Sequence, residues 1–100
     1  MYIRVAANGD LSLAEEDNMR AFSIRRERAD VSLERLLEIA TAAGDDHYWL
    51  DADAVQELSP RKHDQQWVGD YRAMLAGVAP YGYYDETTNR VKAHVEDATD

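Results

Sequence analysis

Four aspartates and a histidine surround three large apolar residues in the stretch GDDHYWLDAD, residues 44–53. Carboxylates and an imidazole are the ligands of hard cations and the partners of acid–base catalysis. The spacing decides against a calcium loop, which needs glycine at its sixth position and glutamate at its twelfth. Counted from Asp51, those positions are Gln56 and Lys62; counted from Asp45, the fifth and sixth are Trp49 and Leu50. A zinc site would need further histidines, and His63 and His94 lie in separate segments with no local ligand spacing. The plainer reading is punctuation. Gly44 stops one element, His47 to Leu50 form a brief strand, and Asp51 caps a helix. Asp45, Asp46, Asp51 and Asp53 then form an acidic surface for a basic partner.

No other chemistry is signalled. A nucleophile elbow, a phosphate-cradling glycine loop, a dinucleotide fingerprint and a His-Glu-x-x-His pair are all missing. With no cysteine there is no disulfide, thiolate nucleophile or cysteine-ligated metal. The expectation is therefore no catalytic, cofactor-binding or metal residue, and an interaction protein before an enzyme. The beginning, MYIRVAANGD, lacks the apolar region of a signal peptide, and no run reaches membrane-spanning length. A soluble cytoplasmic protein without membrane partners is expected.

The 100 residues fit one domain, and 45% hydrophobic residues suffice for a core. The net charge of −9 is concentrated in the middle third. Residues 30–59 hold one basic residue against eight acidic ones, whereas residues 1–29 balance at five of each. Such a field disfavours nucleic acid and favours basic partners, or simply keeps a small protein in solution.

The elements that must position these groups follow from pattern. Residues 2–6 read as a strand that turns at Asn8-Gly9. Ser12 and Glu15 form a capping box for a helix over 13–29, acidic first and basic last, with Met19 and Phe22 inward. A strand over 20–25 is the alternative, because Phe22 and Ile24 also alternate. Ser32, the Val31/Leu36 staple and the leucine spacing predict a helix over 33–43 ended by Gly44. Asp51 caps a helix over 52–58. Trp67, Tyr71, Met74, Leu75 and Val78 predict a core helix over 64–78. Residues 81–84 and 90–95 read as a hairpin turning at 85–89. Val91, Ala93 and Val95 face the core, and Arg90, Lys92 and His94 face water. Trp49 and Trp67 are read as core, and residues 97–100 as a fraying tail.

From residue 32 to 96 the order helix, short strand, helix, longer helix, hairpin resembles the winged-helix arrangement. The quoted parts are "HYWL" as the small strand, "DQQWVGDYRAMLAGV" as the recognition-type helix and "YGYYDETTNRVKAHV" as the wing. The expected fold is α+β, with about four helices, a small antiparallel sheet and residues 1–31 as an N-terminal extension. The resemblance implies nucleic-acid or partner contacts at Arg61, Lys62, Gln65, Gln66, Arg72, Arg90, Lys92 and His94.

The leading expectation is a non-enzymatic acidic module that binds a protein partner or a second copy of itself. The alternatives are a winged-helix DNA-binding regulator, an acidic mimic of DNA, or a small enzyme of unknown reaction.

Overall fold

A computed structural model describes residues 1–97. Its first hairpin follows directly from local sequence. Strands β1 (Tyr2–Val5) and β2 (Leu11–Ala14) pair antiparallel. Between them Gly9 takes φ 90°, and the Asn8 side chain accepts the Asp10 amide at 3.0 Å. Asparagine and glycine supply what such a turn needs, a local side-chain acceptor and a left-handed residue.

The helix expected over 13–29 does not form. Leu11 and Leu13 turn inward with Ser12 exposed, the period-2 pattern of a strand. Glu15 then takes φ 50°, which no helix allows. The chain crosses through residues 15–22 and returns as β3 (Ser23–Arg26), parallel to β1. The basic residues read as a helix end pair across the sheet and its flank instead: Arg25 with Glu96, Arg26 with Asp97 and Arg28 with Asp30.

The helix expected over 33–43 shrinks to a single 3-10 turn at Leu36–Glu38, followed by β4 (Ala40–Ala42). Leu36 is buried, but Leu37 is 54% exposed, so the leucines do not share one buried helical face. The Ile39 carbonyl accepts the Asp51 amide at 2.9 Å, drawing the chain alongside β5 (His47–Asp51). Gly44 at φ 121° and Asp46 at φ 55° make the β4–β5 turn, so Gly44 stops a strand and not a helix.

The second half matches its pattern more closely. Asp51 caps α1 (Ala52–Glu57), and Asp64 caps α2 (Gln65–Val78). Trp67, Tyr71 and Leu75 of α2 are buried, and Met74 and Val78 are half-buried. Strand β6 (Tyr84–Asp85) turns at Asn89, φ 55°, into β7 (Arg90–Asp97).

Together the strands form one mixed seven-stranded sheet in the order β2-β1-β3-β7-β5-β4, with β6 also on β7. This overturns the winged-helix expectation of about four helices and a small antiparallel sheet. One long helix and one short one are present among the described residues. The expected wing strand cannot project either, because β7 lies inside the sheet with β5 on one edge and β3 and β6 on the other. The segment expected as an extension supplies three strands, and Ile3, Val5 and Ile24 are fully buried. Of the tail, Asp97 closes β7, while 98–100 lie outside the described residues. No described helix is long and apolar enough to cross a membrane.

Alternation divides the sheet into two unequal faces. Inward-facing Ile3, Leu13, Ile24, Leu50, Val91 and Ala93 form one cluster with Val55 of α1 and Trp67, Tyr71 and Leu75 of α2. The Tyr71 hydroxyl donates to the Ala52 carbonyl at 2.8 Å, and burial pushes its pKa up, so it stays a protonated donor. The other face of the sheet is open.

Candidate binding face

The open face can be read strand by strand from the registers. Ser12, Arg4, Arg25 and Glu96 stand in one row across β2, β1, β3 and β7. His94 stands opposite His47, with ring centroids 6.0 Å apart. Lys92 stands opposite Trp49, which stands opposite Thr41. Arg90 stands between Asp51 and Asp85. The result is a surface of cations interleaved with rings. The Arg25 guanidinium lies 4.2 Å from the centroid of Tyr2, and the Lys92 ammonium 5.8 Å from that of Trp49. Contacts of this kind hold a cation over a ring face without neutralising it.

Most of the chain's cations are held by carboxylates. Of its 11 lysines and arginines, all but Arg20, Arg90 and Lys92 have a carboxylate partner among the described residues. Arg90 donates to the Thr41 hydroxyl at 2.7 Å. His94 shares a 2.7 Å contact with Glu96, and His47 Nδ1 lies 2.7 Å from the Asp45 carbonyl.

The structure thus gathers three of the sequence-derived contact residues, Arg90, Lys92 and His94, on one face. The other five lie elsewhere. Arg61 bonds Asp64 at 2.6 Å and also Asp17. Lys62 stands 3.4 Å from Glu57. Arg72 donates to Asp53 at 2.6 Å and to Gln56 at 2.7 Å. Gln66 donates to Asp70 at 3.1 Å, and Gln65 is exposed at the start of α2. The exposed side of α2 is consequently no cationic surface.

The four aspartates of the opening stretch divide into two pairs. Asp45 and Asp46 sit in the β4–β5 turn, and Asp51 and Asp53 at the far end of β5. Five strand residues separate the pairs by roughly 17 Å. Asp53 is engaged by Arg72, whose hydrogen bond holds its carboxyl below the usual range, with Asn89 adding to the effect. Asp51 Oδ1 accepts the Asp53 amide at 2.9 Å and the Ala54 amide at 3.4 Å. No three metal-ligating side chains converge among the described residues.

Asp51 therefore acts on stability. Asp51→Ala should lower the unfolding free energy by ~0.5–2 kcal/mol, and Asp51→Asn much less, because asparagine caps nearly as well. Asp45→Ala should stay within about 0.5 kcal/mol of the parent. Urea unfolding curves of the three variants check this. Equal losses in all three would contradict the cap.

Pattern reading missed Tyr2, Arg20 and the outward side of Trp49. For Trp49 the signal was present. In HYWLD, His47, Trp49 and Asp51 alternate with Tyr48 and Leu50, which places Trp49 opposite the buried Leu50. For Arg20, in the crossing between β2 and β3, no periodicity exists to read. Compared with family models, with curated proteins and with solved structures, the chain matches none.

Proposed function

We propose that the chain is a non-enzymatic binding module that takes a protein partner, a second copy included, on the open face of its sheet. The observation that supports this most is the placing of Lys92 and Arg90, two cations without carboxylate partners among the described residues, beside the half-exposed ring of Trp49. Aromatic residues and arginine are enriched where proteins meet, and a tryptophan beside cations is a typical anchor. A net charge of −9 repels a polyanion at long range and does not hinder a folded partner that carries a few acids.

The test uses the full chain as immobilised bait in parent form, as Trp49→Ala/Lys92→Glu and as Asp45→Lys/Asp46→Lys. Captured proteins are identified and then titrated in purified form. A partner that survives nuclease treatment, binds the parent and the Asp45/Asp46 variant, and weakens at least about a hundredfold with Trp49→Ala/Lys92→Glu supports the proposal. Capture that nuclease abolishes would replace the protein partner with nucleic acid stacked on the same rings. Loss in the Asp45/Asp46 variant alone would move the partner to the acidic turn.

A further inference from the structure

The edge of β7 is covered unevenly. β6 pairs it up to Val91, and β3 takes over only at Val95. The Tyr83 carbonyl also accepts the Lys92 amide at 2.8 Å, so the gap spans residues 93–94, about 7 Å at the usual rise of a strand. A groove of about 350 Å³ lies there, with Met19, Phe22, Met74 and Tyr83 among its walls. Arg20 and Lys92 also line it. Among the described residues, these are the two lysine or arginine side chains with neither a carboxylate partner nor a hydrogen bond. His94 lines the groove too but is engaged by Glu96.

We propose that this groove binds a small apolar carboxylate, its chain or ring against the methionines and Phe22 and its head between Arg20 and Lys92. Three physical points converge on that class. The volume stands at the lower end of the ~300–1,000 Å³ usual for small-molecule sites, which suits one short chain or a single ring. Methionine walls adapt to flexible apolar shapes. In a protein of net charge −9, two cations without carboxylate partners among the described residues, beside an apolar groove, complement a single negative head. The site shares Lys92 with the proposed partner face, whereas Arg20, exposed in the β2–β3 crossing, lines only the groove, so Arg20→Glu tests the groove without altering Trp49.

The methionines supply the readout. The chain has three, and Met19 and Met74 line the groove while Met1 is buried outside it. Methyl-labelled protein is titrated with octanoate, 1-octanol and octylamine below their aggregation limits. Octanoate should shift the Met19 and Met74 methyls saturably, with Met1 moving least. It should bind at least about tenfold more tightly than 1-octanol, the scale of one charge-assisted hydrogen bond, and octylamine more weakly still. Arg20→Glu, an exposed substitution, should reduce octanoate to the level of 1-octanol and leave 1-octanol unchanged. Unsaturable shifts, equal shifts of all three methyls, or equal affinity for octanoate and 1-octanol would overturn the site.

Discussion

Trp67→Ala should lower the unfolding free energy by ~3–5 kcal/mol, the range for emptying a large aromatic site. Trp67 is 1% exposed and stacks on Tyr71 at 5.2 Å with the rings 6° from parallel. Its indole also donates to the Glu16 carbonyl at 2.8 Å, 51 positions away. The substitution thus empties part of the core and releases the β2–β3 crossing from α2. Trp67→Phe separates the two effects. It retains a ring on Tyr71 while removing the bond to Glu16 and part of the indole's volume, so its loss should be smaller than that of the alanine variant. Urea unfolding followed by far-ultraviolet circular dichroism measures both. A loss below about 1 kcal/mol for the alanine variant would mean that Trp67 is not a core residue.

Ile24→Ala is expected to cost ~2–5 kcal/mol, and Ile24→Val only ~0.5–1.5 kcal/mol. Ile24 is fully buried in β3, with Ile3 of β1 on one side and Val95 of β7 on the other. Were residues 13–29 helical, alanine would carry the best helix propensity and part of the loss would be recovered. In a strand nothing offsets the cavity, and the branched side chain suits the sheet that alanine disfavours. Arg25→Ala, whose side chain points to the open face, should change stability by no more than about 0.5 kcal/mol. Thermal and urea unfolding of the three variants decide the matter, and a mild Ile24→Ala would contradict the buried strand.

What could be read from sequence follows the range of the interactions involved. Asp51 capping α1, the stripe of α2 and the alternation of Arg90, Lys92 and His94 against Val91 and Ala93 are local, and all are observed. Two segments misled for one reason. Ser12-Leu13-Ala14-Glu15 and Leu33 to Ala40 each carry a locally valid helix signal, worth roughly a kcal/mol per cap. Hairpin pairing outweighs it, with β1 for the first and β5 for the second, and each hairpin is held in turn by a strand farther along the chain, β3 on β1 and β7 on β5. The open face was partly visible for the same reason. Arg90 and Lys92 stood on a strand recognised by its period, but Arg20 lines the same groove as Lys92 only because β3 pairs with β7.

That pairing has a consequence for how the chain reaches its fold. Arg26 and Asp97 are 71 positions apart, and β7 alone joins the β2-β1-β3 half of the sheet to the β5-β4 half. Synthesis delivers the joining strand after both halves have emerged. Until then each half presents a bare inner edge, β3 in one and β5 in the other. Closure of so long a loop makes this a slow step, and the nascent chain is most open to pairing with a neighbour while it waits. The last strand among the described residues is thus the clasp of the fold, and on a polysome crowding threatens the protein before that clasp closes.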